Sequence, residues 1–193
     1  MESCCMKYIL LIGILLITGC TSILAKQDKF REWQEEVQLN DGRVIVVTQK
    51  KRCEGAYTGN EYVQCIAREA WLTINLPEFS DKPIVWHEKL KPTVLNIHNK
   101  VLYIVARFPT EREFKFYGEP QPPYIGYIWK GDSWQRIPFV DIPEEIYNTN
   151  MLIEGIPPEE VRYLSLEKKN SKKFNGNNTY PKYIKKIDPA HRW

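Results

Sequence analysis

Thr93-Val94-Leu95-Asn96-Ile97-His98-Asn99-Lys100-Val101-Leu102-Tyr103-Ile104-Val105-Ala106 decides the fold. Two runs rich in β-branched, aromatic and aliphatic residues flank Asn99-Lys100, which turns the chain. Side chains alternate along a strand, so Leu95 and Ile97 share one face of the first run. Leu102, Ile104 and Ala106 share one face of the second. The stretch therefore reads as an antiparallel hairpin with a face to bury.

The same pattern repeats on either side. Tyr124 to Trp129 pairs, through Lys130-Gly131-Asp132-Ser133, with Trp134 to Val140, and Pro138 places that last run at an edge or a bulge. Nearer the N-terminus, Trp33 to Leu39 and Arg43 to Gln49 flank the turn Asn40-Asp41-Gly42, a strong hairpin signal. Residues 53–65 read as the next hairpin, and Ala70 to Leu76 as a strand stopped by Pro77. Residues 78–92 read as a loop, and a Pro-rich loop follows the 93–106 hairpin. Pro143 to Tyr147 begins a helical turn, Met151 to Ile153 and Arg162 to Leu166 read as short strands, and Glu167 to Phe174 as a helical stretch. The expected fold is mainly β: successive antiparallel hairpins forming a sandwich or blade-like sheets, with a minor C-terminal helix. Amphipathic helices do not alternate with the strands, which excludes a parallel α/β fold.

The apolar run from Tyr8 to Leu16 is too short for the ~20 residues of a membrane-spanning helix. It fits the hydrophobic region of a signal peptide. It is closed by Leu16-Ile17-Thr18-Gly19-Cys20, which resembles the lipobox of bacterial lipoproteins. That resemblance implies cleavage before Cys20, lipidation of its thiol and acylation of the new amino terminus. The rest of the chain is then tethered to an envelope membrane in an oxidising compartment. Thr21 and Ser22 stand where Asp would favour inner-membrane retention, which implies an outer-membrane anchor facing the periplasm. Glu2 is atypical of a basic leader, whereas Met6-Lys7 makes a conventional start, so residues 1–5 are read as preceding the true start. The expected organisation is a signal peptide at 1–19, a lipidated tether at 20–30, a β-rich domain at 31–166 and a basic segment at 167–193. Removing the leader leaves about 174 residues, enough for one domain with a proper core.

Past Cys20 only Cys53 and Cys65 remain. A three-residue loop over 58–60 would pair Tyr57 with Glu61 and set Cys53 directly opposite Cys65, at a separation a disulfide accepts. In an exported chain this bridge is the expectation, worth about 3 kcal/mol by chain entropy. Two cysteines with no nearby Cys or His pair do not make a zinc site, and no metal or cofactor is expected.

The net charge of +3 selects no partner, but its distribution is uneven. Lys168, Lys169, Lys172, Lys173, Lys182, Lys185, Lys186 and Arg192 face only Glu167 and Asp188 near the C-terminus. This segment reads as a solvated tail, or else as a patch for anionic lipid headgroups. Nucleic acid is not expected in this compartment.

No catalytic residue is assigned. The chain lacks a Gly-x-Ser-x-Gly elbow, a phosphate-binding glycine loop and a His-Glu-x-x-His motif. His87, His98 and Glu88 would make an acid–base or metal site only if the fold joined them. The acidic pair Glu111 and Glu113 lies in a charged loop and reads as solvated or ion-paired. The loop from Phe108 to Tyr127 carries Phe114, Phe116, Tyr117 and Tyr124 among prolines and charges. Aromatic anchors on a stiffened loop cost little ordering entropy, so these four are the candidate partner contacts. The competing reading is that the loop packs back over the sheet.

From Glu69 to Asp188 the chain resembles small proteobacterial envelope lipoproteins that act as immunity proteins of type VI secreted lipase effectors. The residues carrying this are Glu69-Ala70-Trp71, Leu76-Pro77-Glu78-Phe79, Pro109 to Phe114, Pro122 to Gly126, Trp134 to Pro138 and Lys185 to Pro189. The resemblance implies a non-catalytic, membrane-tethered module that binds a secreted effector protein. The alternative is an envelope structural or assembly factor that binds lipopolysaccharide, peptidoglycan or a machine component. A hydrolase built on His87, His98 or the acidic loop is the third reading.

Overall fold

The computed structural model describes residues 29–58, 61–152, 156–171 and 185–193. The leader, Cys20 and the tether up to residue 28 lie outside the described residues, as do Lys172, Lys173 and Lys182 of the basic segment.

The chain is mainly β. Strands β1 (Lys29–Gln38), β2 (Val44–Thr58), β3 (Glu61–Ile74) and β4 (Ile84–Glu88) form an antiparallel meander. Strands β5 (Lys91–His98), β6 (Val101–Arg107), β7 (Tyr124–Lys130) and β8 (Ser133–Ile137) form a second. A two-residue strand, β9 (Tyr163–Leu164), pairs in parallel with β1 at Gln34 and Glu35. The first sheet, sheet A, therefore runs β4-β3-β2-β1-β9, and the second, sheet B, runs β5-β6-β7-β8. There are two short α-helices, α1 (Glu111–Phe116) and α2 (Leu166–Asn170), and the end of the expected 134–140 strand is a 3-10 turn, Phe139–Asp141. Residues Glu144–Ile146 make a 3-10 turn within the expected helical stretch.

Local chemistry sets the joints. The β1–β2 turn puts Gly42 at φ 86°, a left-handed conformation that glycine adopts without strain. Asp41 accepts from the Arg43 amide at 3.0 Å and braces the turn. In the β5–β6 hairpin both Asn99 (φ 48°) and Lys100 (φ 64°) are left-handed, the geometry that matches the twist of adjacent strands.

The two sheets pack face to face. Val37, Val47, Leu72, Ile74 and Trp86 of sheet A meet Leu95, Leu102, Ile104, Ala106, Ile125 and Tyr127 of sheet B in one core. Asn150 joins the sheets where they meet: its side-chain amide donates to the Gln38 and Leu95 carbonyls, and its oxygen accepts from the Leu95 amide. Sheet B is covered on its other side too. Val94, Val105 and Tyr124 pack there against Ile142, Ile146, Tyr147 and Ile187. Burial on both faces is why β5 and β6 read as almost unbroken apolar runs rather than as strict alternations. The covering strap is anchored by the Asn148–Lys186 bridge and by the Ile187 amide donating to Tyr147 at 2.8 Å.

The strap presses hardest on Gly126. A methyl group there would lie 2.8 Å from Ile137 Cγ1 and 2.8 Å from Ile142 Cγ1. Gly126→Ala is therefore expected to cost about 1–3 kcal/mol through overpacking. Thermal unfolding followed by circular dichroism checks this, and an unchanged midpoint would show that the strap does not seat as described.

Several boundaries differ from the sequence reading. The two expected N-terminal hairpins and the 70–76 strand are one meander, because β2 and β3 run unbroken through the segments between them. The disulfide joins Cys53 to Cys65 with Cα atoms 4.7 Å apart, but not in direct opposition. Thr58 pairs with Glu61 and Tyr57 with Tyr62; two irregularities then put Ala67 opposite Cys53, so the bridge is diagonal. The expected loop at 78–92 contains β4, whose Ile84 and Trp86 face inward and are fully buried. Residues 111–116 are helical rather than loop. Met151 and Leu152 form no strand: they are buried, and their amides bond to Thr93 and to the Glu35 side chain.

Candidate functional site

The outer face of sheet A carries no covering strap among the described residues. Strand alternation turns Phe30 and Glu32 (β1), Lys50 and Arg52 (β2), Glu69 and Trp71 (β3) and His87 (β4) away from the core. The register lays them in two adjacent rows. One runs Glu32–Lys50–Trp71–His87, and the next runs Phe30–Arg52–Glu69.

These rows interlock. The His87 ring stacks on Trp71, with centroids 4.3 Å apart and planes 11° from parallel. Phe30 leans on the other side of Trp71 at 6.1 Å. The Lys50 ammonium sits 4.8 Å from the Phe30 ring and 5.8 Å from Trp71, within cation–π range of both. Arg52 donates twice to Glu69 Oε1, at 2.9 and 2.7 Å, while Glu69 Oε2 meets His87 Nε2 at 3.0 Å. Partial burial opposes ionisation of Glu69, but the bonds from Arg52 and His87 outweigh it and hold the carboxyl below its ordinary range. The carboxylate thereby fixes the imidazole against the indole. The result is a preorganised platform of three rings with one cation lodged between them. Phe30 is 48% exposed, and Val44, Val46 and Val85 extend the apolar surface along the same face.

The loop contacts expected from sequence are placed differently. Phe114 is buried on α1, where the Trp193 ring stacks on it at 4.9 Å. Tyr124 is buried under the strap, and its hydroxyl accepts from the Asp188 amide. Neither side chain is available to a partner. Tyr117 is half-buried, and its hydroxyl donates to Glu88 at 2.7 Å. Phe116 is 64% exposed, with the Lys89 ammonium 4.1 Å above its ring. The reason is α1: an amphipathic turn directs Phe114 inward and Phe116 outward. The helix is clamped to sheet A through buried Glu113, which Arg68, Arg112 and the Thr110 hydroxyl all contact. Thr110, Arg112 and Arg68 overcome burial to keep the Glu113 carboxyl below its ordinary range. Of the two readings of this acidic pair, solvated or ion-paired, Glu113 takes the second, and it is buried as well.

The histidine site is not assembled. His87 engages Glu69 and Trp71, His98 engages Asn99 on the other sheet, and Glu88 accepts from Tyr117. Among the described residues no three His, Cys, Asp or Glu side chains are grouped to hold a metal ion. In the basic segment, Lys169 is turned inward: it donates to the Asn150 carbonyl at 2.6 Å and lies 3.5 Å from buried Glu35. It belongs to the core rather than to a lipid-facing patch. Among the described residues no helix is long and apolar enough to cross a membrane.

Sequence reading missed Phe30 and Trp71, and it weighed His87 only for an acid–base or metal site with His98 and Glu88. The available signal was the alternation Trp71-Leu72-Thr73-Ile74: if Leu72 and Ile74 face the core, the indole must face out. Comparison with protein-family models, curated proteins and solved structures finds no match to the chain.

Proposed function

We propose that this chain is a non-catalytic binding module, lipid-anchored through Cys20 to the bacterial envelope, that captures a protein partner on the outer face of sheet A. The observation that supports this reading is the asymmetry of the two sheets. Among the described residues a strap covers the outside of sheet B, whereas none covers the aromatic, cation-bearing platform on sheet A. Rigid rings fixed by neighbouring ion pairs lose little entropy on binding, and Trp and Arg are the residues that dominate protein contacts. The partner is proposed to be a secreted lipase-type effector, with the module acting as its immunity protein. A tether that holds the inhibitor in the compartment where the toxin acts suits that role.

The test is protection. Cells exporting a type VI lipase effector should grow when the chain is co-expressed and lyse when it is absent. Lysis at the same rate with and without the chain would sink the immunity reading. Binding instead to peptidoglycan or lipopolysaccharide would favour an envelope assembly role on the same surface.

A further inference from the structure

At the end of the sandwich away from the disulfide, the loop between β3 and β4 (residues 77–83) and the β7–β8 turn line one open cavity of about 640 Å³. Strand alternation supplies its aromatic wall. Ile125, Tyr127 and Trp129 follow one another on the inner face of β7. The first two are buried in the core, whereas Trp129 stands at the rim, partly buried, and borders the cavity. Trp134, directly opposite on β8, meets its ring at 5.4 Å and 65°. Phe79 of the loop, also partly buried, adds a second ring.

The polar lining is held by its own turns. The Phe79 and Ser80 amides donate to the Leu76 carbonyl at 2.9 and 3.2 Å, and the Lys82 amide donates to Ser80 Oγ at 3.1 Å. Arg43 donates to Glu78 at 2.7 Å and ties the loop to the β1–β2 turn. Gly131 (φ 58°) and Asp132 (φ 59°) are the two left-handed residues of a tight hairpin turn. Asp81 and Asp132 are exposed, and among the described residues no ion pair or hydrogen bond occupies either carboxylate. The cavity thus offers two carboxylates, the Lys82 ammonium and the Ser80 hydroxyl beside the Trp129 indole.

A pyranose matches this set. One face of the ring is C–H hydrocarbon that can lie on an indole, and its rim of hydroxyls both donates and accepts. Hydroxyls donating to carboxylates make charge-assisted bonds, roughly twice as strong as neutral ones. An acidic sugar would be repelled by Asp81 and Asp132, and an organic cation by Lys82. The volume falls within the ~300–1,000 Å³ typical of ligand sites, room for a short oligosaccharide.

We infer that this cavity binds a neutral saccharide, with one pyranose ring stacked on Trp129 and its hydroxyls bonded to Asp81, Asp132 and Lys82. The site is separate from the outer face of sheet A and does not depend on the partner proposed there.

Titration of the full chain with cellotetraose, maltotetraose and the tetramer of N-acetylglucosamine, followed by tryptophan fluorescence and backbone amide shifts, tests it. Saturable binding of at least one is expected, with shifts at Phe79, Asp81, Gly131 and Asp132. Asp81→Ala and Asp132→Ala should each weaken that binding about fivefold and leave the unfolding midpoint unchanged. Trp129→Ala should weaken it about tenfold or more; if that variant fails to fold, the two exposed aspartates decide. Binding of none of the three sugars, tighter binding of spermine than of any of them, or unchanged affinity in either aspartate variant would overturn the inference.

Discussion

Trp86→Ala is expected to cost about 3–5 kcal/mol of stability, as truncation of a buried aromatic ring does. The indole on β4 is fully buried, and its edge meets the Tyr127 ring of sheet B at 5.6 Å and 79°. It thus fills the space between the sheets, and truncation leaves a cavity that two packed sheets cannot close. At this chain length each kcal/mol moves the midpoint by about 2–4 °C. Trp86→Phe should cost far less than alanine. It keeps most of the ring volume, and the indole nitrogen it removes has no hydrogen-bond partner among the described residues. Equal losses in the two variants would mean that ring volume at this position is not what holds the sheets together.

Lys51→Met is expected to stabilise the protein at neutral pH, and the gain should vanish in alkali. Burial pushes the native Lys51 ammonium down to about 8, with Glu35 opposing the shift. In the unfolded chain the group titrates near ~10.4. Between those values the unfolded chain holds a proton that the native chain has released. Stability therefore rises with pH across this window, by at most about 1.4 kcal/mol per pH unit. Below pH 8 both states are protonated and the native state bears the whole burial penalty, on the order of 3 kcal/mol. Methionine keeps the hydrocarbon and removes the charge, so the variant should gain about 1–3 kcal/mol at pH 7. Tyr127 works the other way at high pH, because burial raises its hydroxyl above the ordinary range. The informative quantity is therefore the difference between variant and parent in chemical denaturation at pH 7, 9 and 10.5. A difference independent of pH would show that Lys51 does not titrate in this window.

The fold class was readable from sequence because β-prone runs flank clear turns, alternating in sheet A and nearly continuous in the doubly covered strands of sheet B. The 93–106 hairpin and the Asn40-Asp41-Gly42 turn lie where local pattern and turn chemistry place them, and Cys53 bonds to Cys65 as expected, though in another register. What escaped depends on contacts distant in sequence. β4 is five residues long between Pro83 and Lys89, too short to announce itself, and it exists because β3 offers an edge. Irregularities at Arg52/Cys53 and Glu54/Ala56 shift the disulfide register, and no turn rule locates them. Phe114 and Phe116 are two residues apart in the same charged segment, yet a single helical turn buries one and exposes the other. The platform of Phe30, Trp71 and His87 draws on three strands, so it emerges only once the register of all four strands β1–β4 is known.

The measurement that bears most directly on the proposed function is the affinity of the chain for a type VI lipase effector, compared between the parent and Trp71→Ala. Trp71 is the centre of the platform: Phe30 and His87 both rest on it, and its side chain faces away from the core. Loss of at least about 2 kcal/mol of binding is expected, roughly thirtyfold in affinity, with the unfolding midpoint nearly unchanged. Unaltered affinity in Trp71→Ala would contradict the assignment of this face as the partner surface, and failure of the parent chain to bind the effector would contradict the proposed function itself.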